Sequence, residues 1–300
     1  MPNLKAYLCN CLIGGHKVTQ YPDGGWVRDR IELNLSGYDV ILKQKKNVVI
    51  GNINDLKGNC CYTTDVIIRN VSKKDRDKAT EIVMDISILL SMICESWIGP
   101  LKLEYPEGSG LYTTNSFIGA TQFFRPVLEI RDGEKVYNFI QLVWKQYQKV
   151  KKKRKIKELV HYLCLAELPE NPVELQLIIA FTMLENLKDT WARSKKIPFV
   201  NGFFRKVGNN LNVNLKKTPS YRFKELLRSM LKDMKMKRGL ERIVGLRNDL
   251  IHSGLSRRTP QSQLKTYEVC RDIIREYLLR LLGYSGKYHP YSEPNIVKKI

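Results

Sequence analysis

Six residues, Arg247-Asn248-Asp249-Leu250-Ile251-His252, put a phosphate-binding and a proton-transferring side chain into one short stretch. A guanidinium is permanently charged, grips a phosphate bidentately and offsets the charge that builds in a transition state. An imidazole titrates near neutrality and serves as general base or general acid. Together they suit RNA cleavage without a metal, with the ribose 2′-hydroxyl as internal nucleophile. On a helix, Asn248 and His252 are four residues apart and share a face. Arg247 and His252 are five apart, about 140° around an ideal helix, so a single copy does not aim both at one point. A site that uses both needs a frayed helix end or a second copy of the motif facing it, which predicts a homodimer. The bland alternative is a surface or capping role for the pair.

The elements that must hold these residues lie on both sides of the motif. Leu240, Ile243, Val244, Leu246, Leu250 and Ile251 recur near helical spacing, so Leu240–Gly254 is expected to be the second half of a helix. Gly254 is its expected C-cap, with His252 in the final turn, where a cation suits the helix dipole. Asn171-Pro172 is a helix start, and Val173–Trp191 is apolar nearly all round, as in a helix at a bundle centre or dimer seam. Glu185 lies within it. A buried carboxylate needs a partner, and Arg247 is the natural one.

Upstream, Val136–Lys157 is expected to be one helix whose polar side carries Lys145, Lys149, Lys151, Lys152, Lys153, Arg154, Lys155 and Lys157. Lys149, Lys151, Lys152, Lys153, Arg154 and Lys155 are candidate contacts to an RNA backbone. Downstream, Pro198–Pro219 is expected to be a loop and Tyr221–Met236 a helix. The segment 216–242, which holds Arg238 and Arg242, feeds further cations toward the motif. A last helix is expected over Gln263–Leu282, followed by an irregular tail over 284–300.

The motif resembles the Arg-polar-x-x-x-His signature of HEPN domains, many of which are ribonucleases. Leu246, Ser253-Gly254 and Phe181-Thr182-Met183-Leu184-Glu185-Asn186-Leu187 are similar to the ApeA-like group. The resemblance covers roughly residues 136–283. It implies a helical bundle and a metal-independent endoribonuclease with its cleft at a homodimer interface, leaving 2′,3′-cyclic phosphate and 5′-hydroxyl ends. It further implies a role in anti-phage defence or as a toxin, with a phage-derived trigger or an antitoxin as partner. Under it, His252 is general base or acid, Arg247 the phosphate anchor, Asn248 a substrate or His252 contact, and Glu185 the support of Arg247. One variant of the family has tyrosine two residues after the histidine; here that residue is Gly254, so the regulation tied to that tyrosine is not implied. The rival reading is a non-catalytic helical dimer that binds RNA or protein.

The first part of the chain is of another kind. Short β-branched and aromatic segments at Leu4–Ile13, Trp26–Leu35, Tyr38–Leu42, Val48–Ile53 and Tyr62–Arg69 are expected to be strands, separated by glycine-rich turns. One helix is expected from Asp75 to about Trp97, and extended pieces around Leu101–Tyr105 and Phe117–Ile130. The fold class is therefore an α+β N-terminal domain over 1–130 (a candidate sensor), followed by an all-α domain over 131–283.

Composition bounds the rest. The chain has 300 residues and a formal net charge of +21, which points to a polyanionic partner, RNA before membrane. No run of eighteen apolar residues suggests a membrane span, and the first residues lack a signal-peptide core, so a cytoplasmic address is expected. Seven scattered cysteines fit a reducing compartment. Cys9, Cys11 and His16 do not complete a metal-ligand set, so neither metal nor cofactor is expected.

Overall fold

The computed structural model describes residues 3–20, 22, 24–45, 58–112, 125–206, 216, 218–236, 239–253, 256 and 258–300, without the side chains of His252 and Ser253. A sheet-rich N-terminal region is followed by a helical C-terminal region. The strands are β1 (Leu4–Cys9), β2 (Lys17–Gln20), β3 (Trp26–Leu35), β4 (Tyr38–Gln44), β5 (Tyr62–Ile68), β6 (Gly99–Glu104) and β7 (Gly110–Tyr112). They form one antiparallel sheet in the order β2-β3-β4-β5-β1-β6-β7. The expected strand at Val48–Ile53 and most of that at Phe117–Ile130 lie outside the described residues, while 125–130 hold no strand.

Alternation along the strands gives the sheet one apolar face. Ala6 pairs with Val66, Val66 with Leu42, and Leu42 with Ile31, a row of buried side chains. Helix α1 (Arg76–Cys94) lies on this face against β1 and β6. It ends at Glu95, which adopts a left-handed backbone with φ 47°. The next helix, α2 (Gly133–Val150), is capped by Asp132, whose side chain accepts from the N–H groups of Glu134 and Lys135. It also packs on the sheet, against β3, and its Trp144 Nε1 donates to Ser36 Oγ at 3.1 Å.

The single helix expected over Val136–Lys157 is two helices. The chain turns over Lys151–Lys155, where Lys155 has φ 50°, and resumes as α3 (Ile156–Ala166). Helix α4 (Val173–Ser194) is the hub of the helical half, packing against α3, α5 (Phe223–Asp233), α6 (Glu241–Ser253) and α7 (Pro260–Leu281). Two short strands, β8 (Phe199–Val200) and β9 (Phe203–Phe204), form a hairpin within the stretch expected to be a loop. Helix α6 is a separate helix rather than the second half of a longer one, because α5 has already ended at Asp233. Helix α7 starts earlier than expected, at Pro260, with Thr259 Oγ1 accepting from Ser262 N. The stretch 284–300 is not wholly irregular: β10 (Lys287–Tyr288) pairs with β11 (Lys298–Lys299), and Tyr288 and Tyr291 are buried.

One continuous hydrophobic cluster runs from the sheet into the helices. Glu95, at the end of α1, is enclosed with Arg271 and Arg275 of α7. Its carboxylate accepts from Arg275 Nε at 2.7 Å, Arg275 Nη2 at 2.6 Å and Arg271 Nη2 at 2.5 Å. Burial pushes the Glu95 carboxyl up, but the two guanidiniums outweigh it and hold it below the usual carboxylate value. Among the described residues, no helix is long and apolar enough to cross a membrane.

Candidate functional site

Helices α4 and α6 pack against each other, and the carboxylate expected to need a partner has one. Arg247 Nη2 donates to Glu185 Oε1 at 2.6 Å, while Lys188 Nζ reaches Glu185 Oε2 at 2.9 Å. Arg247 Nη1 donates to Asn248 Oδ1 at 3.2 Å. The guanidinium also lies over the Phe223 ring, 4.6 Å from its centroid. Arg247 is thus oriented by a charge, an amide and an aromatic face. Among the described residues its buried Nε finds no acceptor, and the buried Asn186 Oδ1 finds no donor. Unsatisfied polar atoms in a native cleft call for an explanation, and a ligand is one.

Both residues line a groove of about 780 Å³ between α4, the β8–β9 hairpin and the start of α5. Its cations are Arg247, Lys188, Lys155 and Arg222, and its rings include Phe203, Tyr221 and Phe223. Phe203 is 56% exposed at its edge. The hairpin that presents Phe203 turns through Asn201 and Gly202, with φ 52° and 80°. Cations interleaved with exposed aromatic rings suit a flexible polyanion with stackable bases, such as single-stranded RNA.

The lysine run is divided by the turn between α2 and α3. Lys155 lines the groove beside Glu185, whereas Lys151 and Lys152 line a separate cavity against α1. Lys149 and Lys153 are exposed. Lys151 is held by Glu81 at 2.8 Å and by Asp85, so it is a structural cation. Arg154 is a correction to its expected place on a solvated RNA-contacting face, being only 5% exposed. Its Nε donates to Thr190 Oγ1 at 3.0 Å and its Nη2 to the Tyr277 hydroxyl at 2.7 Å, which turns it inward to tie α4 to α7.

At the motif helix, Arg242 is exposed, and its carbonyl accepts from Arg258 Nη1 at 3.4 Å. Arg258 lies across α6 at Gly245, where a Cβ would meet its Nη2 at 2.6 Å. Arg238, Gly254 and the His252 side chain lie outside the described residues; the backbone of His252 falls in the last turn of α6. Cys9 and Cys11 are buried, and the Cys9 thiol donates to the Gly99 carbonyl at 3.3 Å. Among the described residues, no group of three His, Cys, Asp or Glu side chains is placed to share a metal ion.

Sequence reasoning missed Lys188, Arg222, Phe203 and Phe223 as site residues. The hairpin had a readable signal, because Asn-Gly between Phe-Val and Phe-Phe is a two-residue type I′ turn in waiting. Phe223 and Lys188 had none, since only the packing of α5 and α4 brings them to Arg247.

No curated protein and no solved structure matches the chain. A family model described as the YopA C-terminal domain matches residues 149–300, just over half of the chain. The matched stretch begins at the lysine-rich turn and contains Lys155, Glu185, Asn248 and Arg247, that is, the groove and both helices that shape it. The chain belongs to the YopA C-terminal domain family.

Proposed function

We propose that the chain is a metal-independent endoribonuclease of HEPN type, acting as a homodimer. The observation that carries this reading is the 2.6 Å bond from Arg247 to Glu185 of the facing helix, set in the wall of a basic, aromatic groove. It gives the arginine of the Arg…His motif the acidic support that the resemblance implies. Arg247 holds the scissile phosphate and offsets the charge of the pentacovalent transition state. His252 removes the proton from the ribose 2′-hydroxyl. The 2′-oxygen then forms a bond to phosphorus, the P–O5′ bond breaks, and an imidazolium returns a proton to the 5′-oxygen. The products are a 2′,3′-cyclic phosphate and a 5′-hydroxyl.

The five-residue spacing favours a shared site, in which Arg247 of one protomer works with His252 of the partner subunit. The test compares wild type, Arg247→Ala and His252→Ala for binding and cleavage of total RNA. His252→Ala is expected to bind RNA normally and to lose about 10²–10⁴-fold in rate, the usual worth of proton transfer. If all three proteins bind RNA equally and none cuts it, the chain is a non-catalytic RNA-binding dimer.

A further inference from the structure

A second cavity, about 360 Å³ in volume, lies where α1 and β6 meet the lysine-rich turn and α3. It shares no lining residue with the Arg247 groove. Its inner wall is apolar: Ile88 and Trp97 are each 8% exposed, and the Tyr147 ring is fixed by a 3.0 Å bond from its hydroxyl to Asp85 Oδ1. Asp85 also accepts from Gln148 Nε2 at 2.8 Å, and with Glu81 it neutralises Lys151. Lys151 is therefore committed to these two carboxylates and is not free to meet a ligand.

Four polar groups at its rim are not used in this way. Lys152 and Lys157 are exposed, and among the described residues neither forms an ion pair. His161 is half-buried on α3 one turn beyond Lys157, next to Glu158. Burial, and then the neighbouring Lys157, lower the His161 pKa, while Glu158 opposes them. At neutral pH the ring is thus an uncharged imidazole with one donor and one acceptor nitrogen. An apolar guest would leave this half-buried imidazole unpaired, which would weaken its binding. A fatty acid would satisfy the apolar wall and the lysines but leave the imidazole without a polar partner. A heteroaromatic ring with N–H and N edges that carries a phosphate satisfies the apolar wall, the imidazole, the carboxylate and the two ammoniums together. The volume is at the small end of ligand pockets, roughly 300–1,000 Å³, which admits one nucleotide and not a chain.

We propose that this cavity binds a nucleoside monophosphate. The base lies against Ile88, Trp97 and Tyr147, its polar edge meets His161 and Glu158, and the phosphate sits between Lys152 and Lys157. The proposal does not rest on the ribonuclease reading. It is tested by calorimetric titration of the full chain with AMP, GMP, CMP and UMP in turn, alongside adenosine, inorganic phosphate and decanoate. At least one nucleotide is expected to bind with 1:1 stoichiometry, more tightly than adenosine, while phosphate and decanoate show no binding. Replacing both lysines, Lys152→Ala with Lys157→Ala, is expected to weaken that nucleotide by about tenfold or more through lost charge-assisted bonds. His161→Phe, which preserves ring shape without polar edges, is expected to weaken it several-fold, and Ile88→Trp to abolish it by filling the floor. Because Ile88→Trp can also unfold a packed wall, the lysine and histidine variants are the decisive ones. Arg247→Ala is expected to leave nucleotide affinity unchanged. The proposal is overturned if none of the four nucleotides binds, or if binding ignores the lysine and histidine changes. It is equally overturned if binding is lost in Arg247→Ala, which would place the nucleotide in the other groove, or if decanoate binds in place of nucleotide.

Discussion

Arg247 is held on three sides before any substrate arrives, by Glu185, Asn248 and the Phe223 ring. Such a residue is preorganised, and its support can be weakened without removing it. Glu185→Gln keeps a neutral hydrogen bond but removes the charge, which is worth about half the bond's strength. Cleavage is expected to fall about fivefold, with RNA binding unchanged or tighter because a negative charge has left the groove; the split between turnover and affinity is the measurement. Glu95 has the opposite role. It touches no groove, and its side chain is 1% exposed between two guanidiniums. Glu95→Ala leaves the buried Arg275 without a carboxylate and Arg271 with Glu167 alone, at 3.4 Å, and is expected to cost about 3–5 kcal/mol in urea unfolding. Its folded pKa lies below the unfolded one, so its stabilisation is present above the ordinary carboxylate pKa and is lost as pH falls through the depressed value. Not all of this was legible. Glu185 stood out because a carboxylate on an apolar helix demands a cation, and Arg247 was at hand. Arg154 did not, because nothing within Lys151–Lys155 marks which cation turns inward.

At the scale of elements, the turn between α2 and α3 decides which cations serve which site. Lys155 sits in the left-handed region at φ 50°, where a side chain is strained by roughly 1–2 kcal/mol and glycine is not. Lys155→Gly is therefore expected to raise the melting temperature slightly while weakening RNA binding, because it relieves the turn and removes a groove cation. A fall in both would show that the lysine side chain stabilises the corner. The break had a faint signal in sequence: 145–157 contains neither glycine nor proline, but no apolar residue falls between Val150 and Ile156, where the helical period needs one at 153 or 154. Apolar patterning did better elsewhere. The strands β1, β3, β4 and β5 and the helix α1 fall close to their expected places, and α4 is the central helix its apolar surface demanded. The start of α7 was missed by three residues, although Thr259-Pro260, a capping residue followed by proline at the first helical position, marks it.

For the molecule as a whole, Lys155, Lys188, Arg222 and Arg247 converge on the groove from elements far apart in sequence, beside the acidic Glu185 and Asp189. The proposed dimer belongs to this scale. If each active site takes Arg247 from one protomer and His252 from the partner subunit, an equal mixture of Arg247→Ala and His252→Ala regains activity that neither has alone. Random exchange makes half the dimers mixed, each with one intact site of two, so about a quarter of wild-type activity is expected. A mixture as inactive as its parents would place both residues of a site in one protomer. The chemistry of the cut tests the proposed ribonuclease activity most directly. Wild-type protein incubated in EDTA with a defined RNA, and with the same RNA carrying a 2′-deoxyribose at the cleaved position, is expected to cut only the former. The new ends are expected to be a 2′,3′-cyclic phosphate and a 5′-hydroxyl. Cleavage of the deoxy-substituted strand, or loss of all cutting in EDTA, would contradict it.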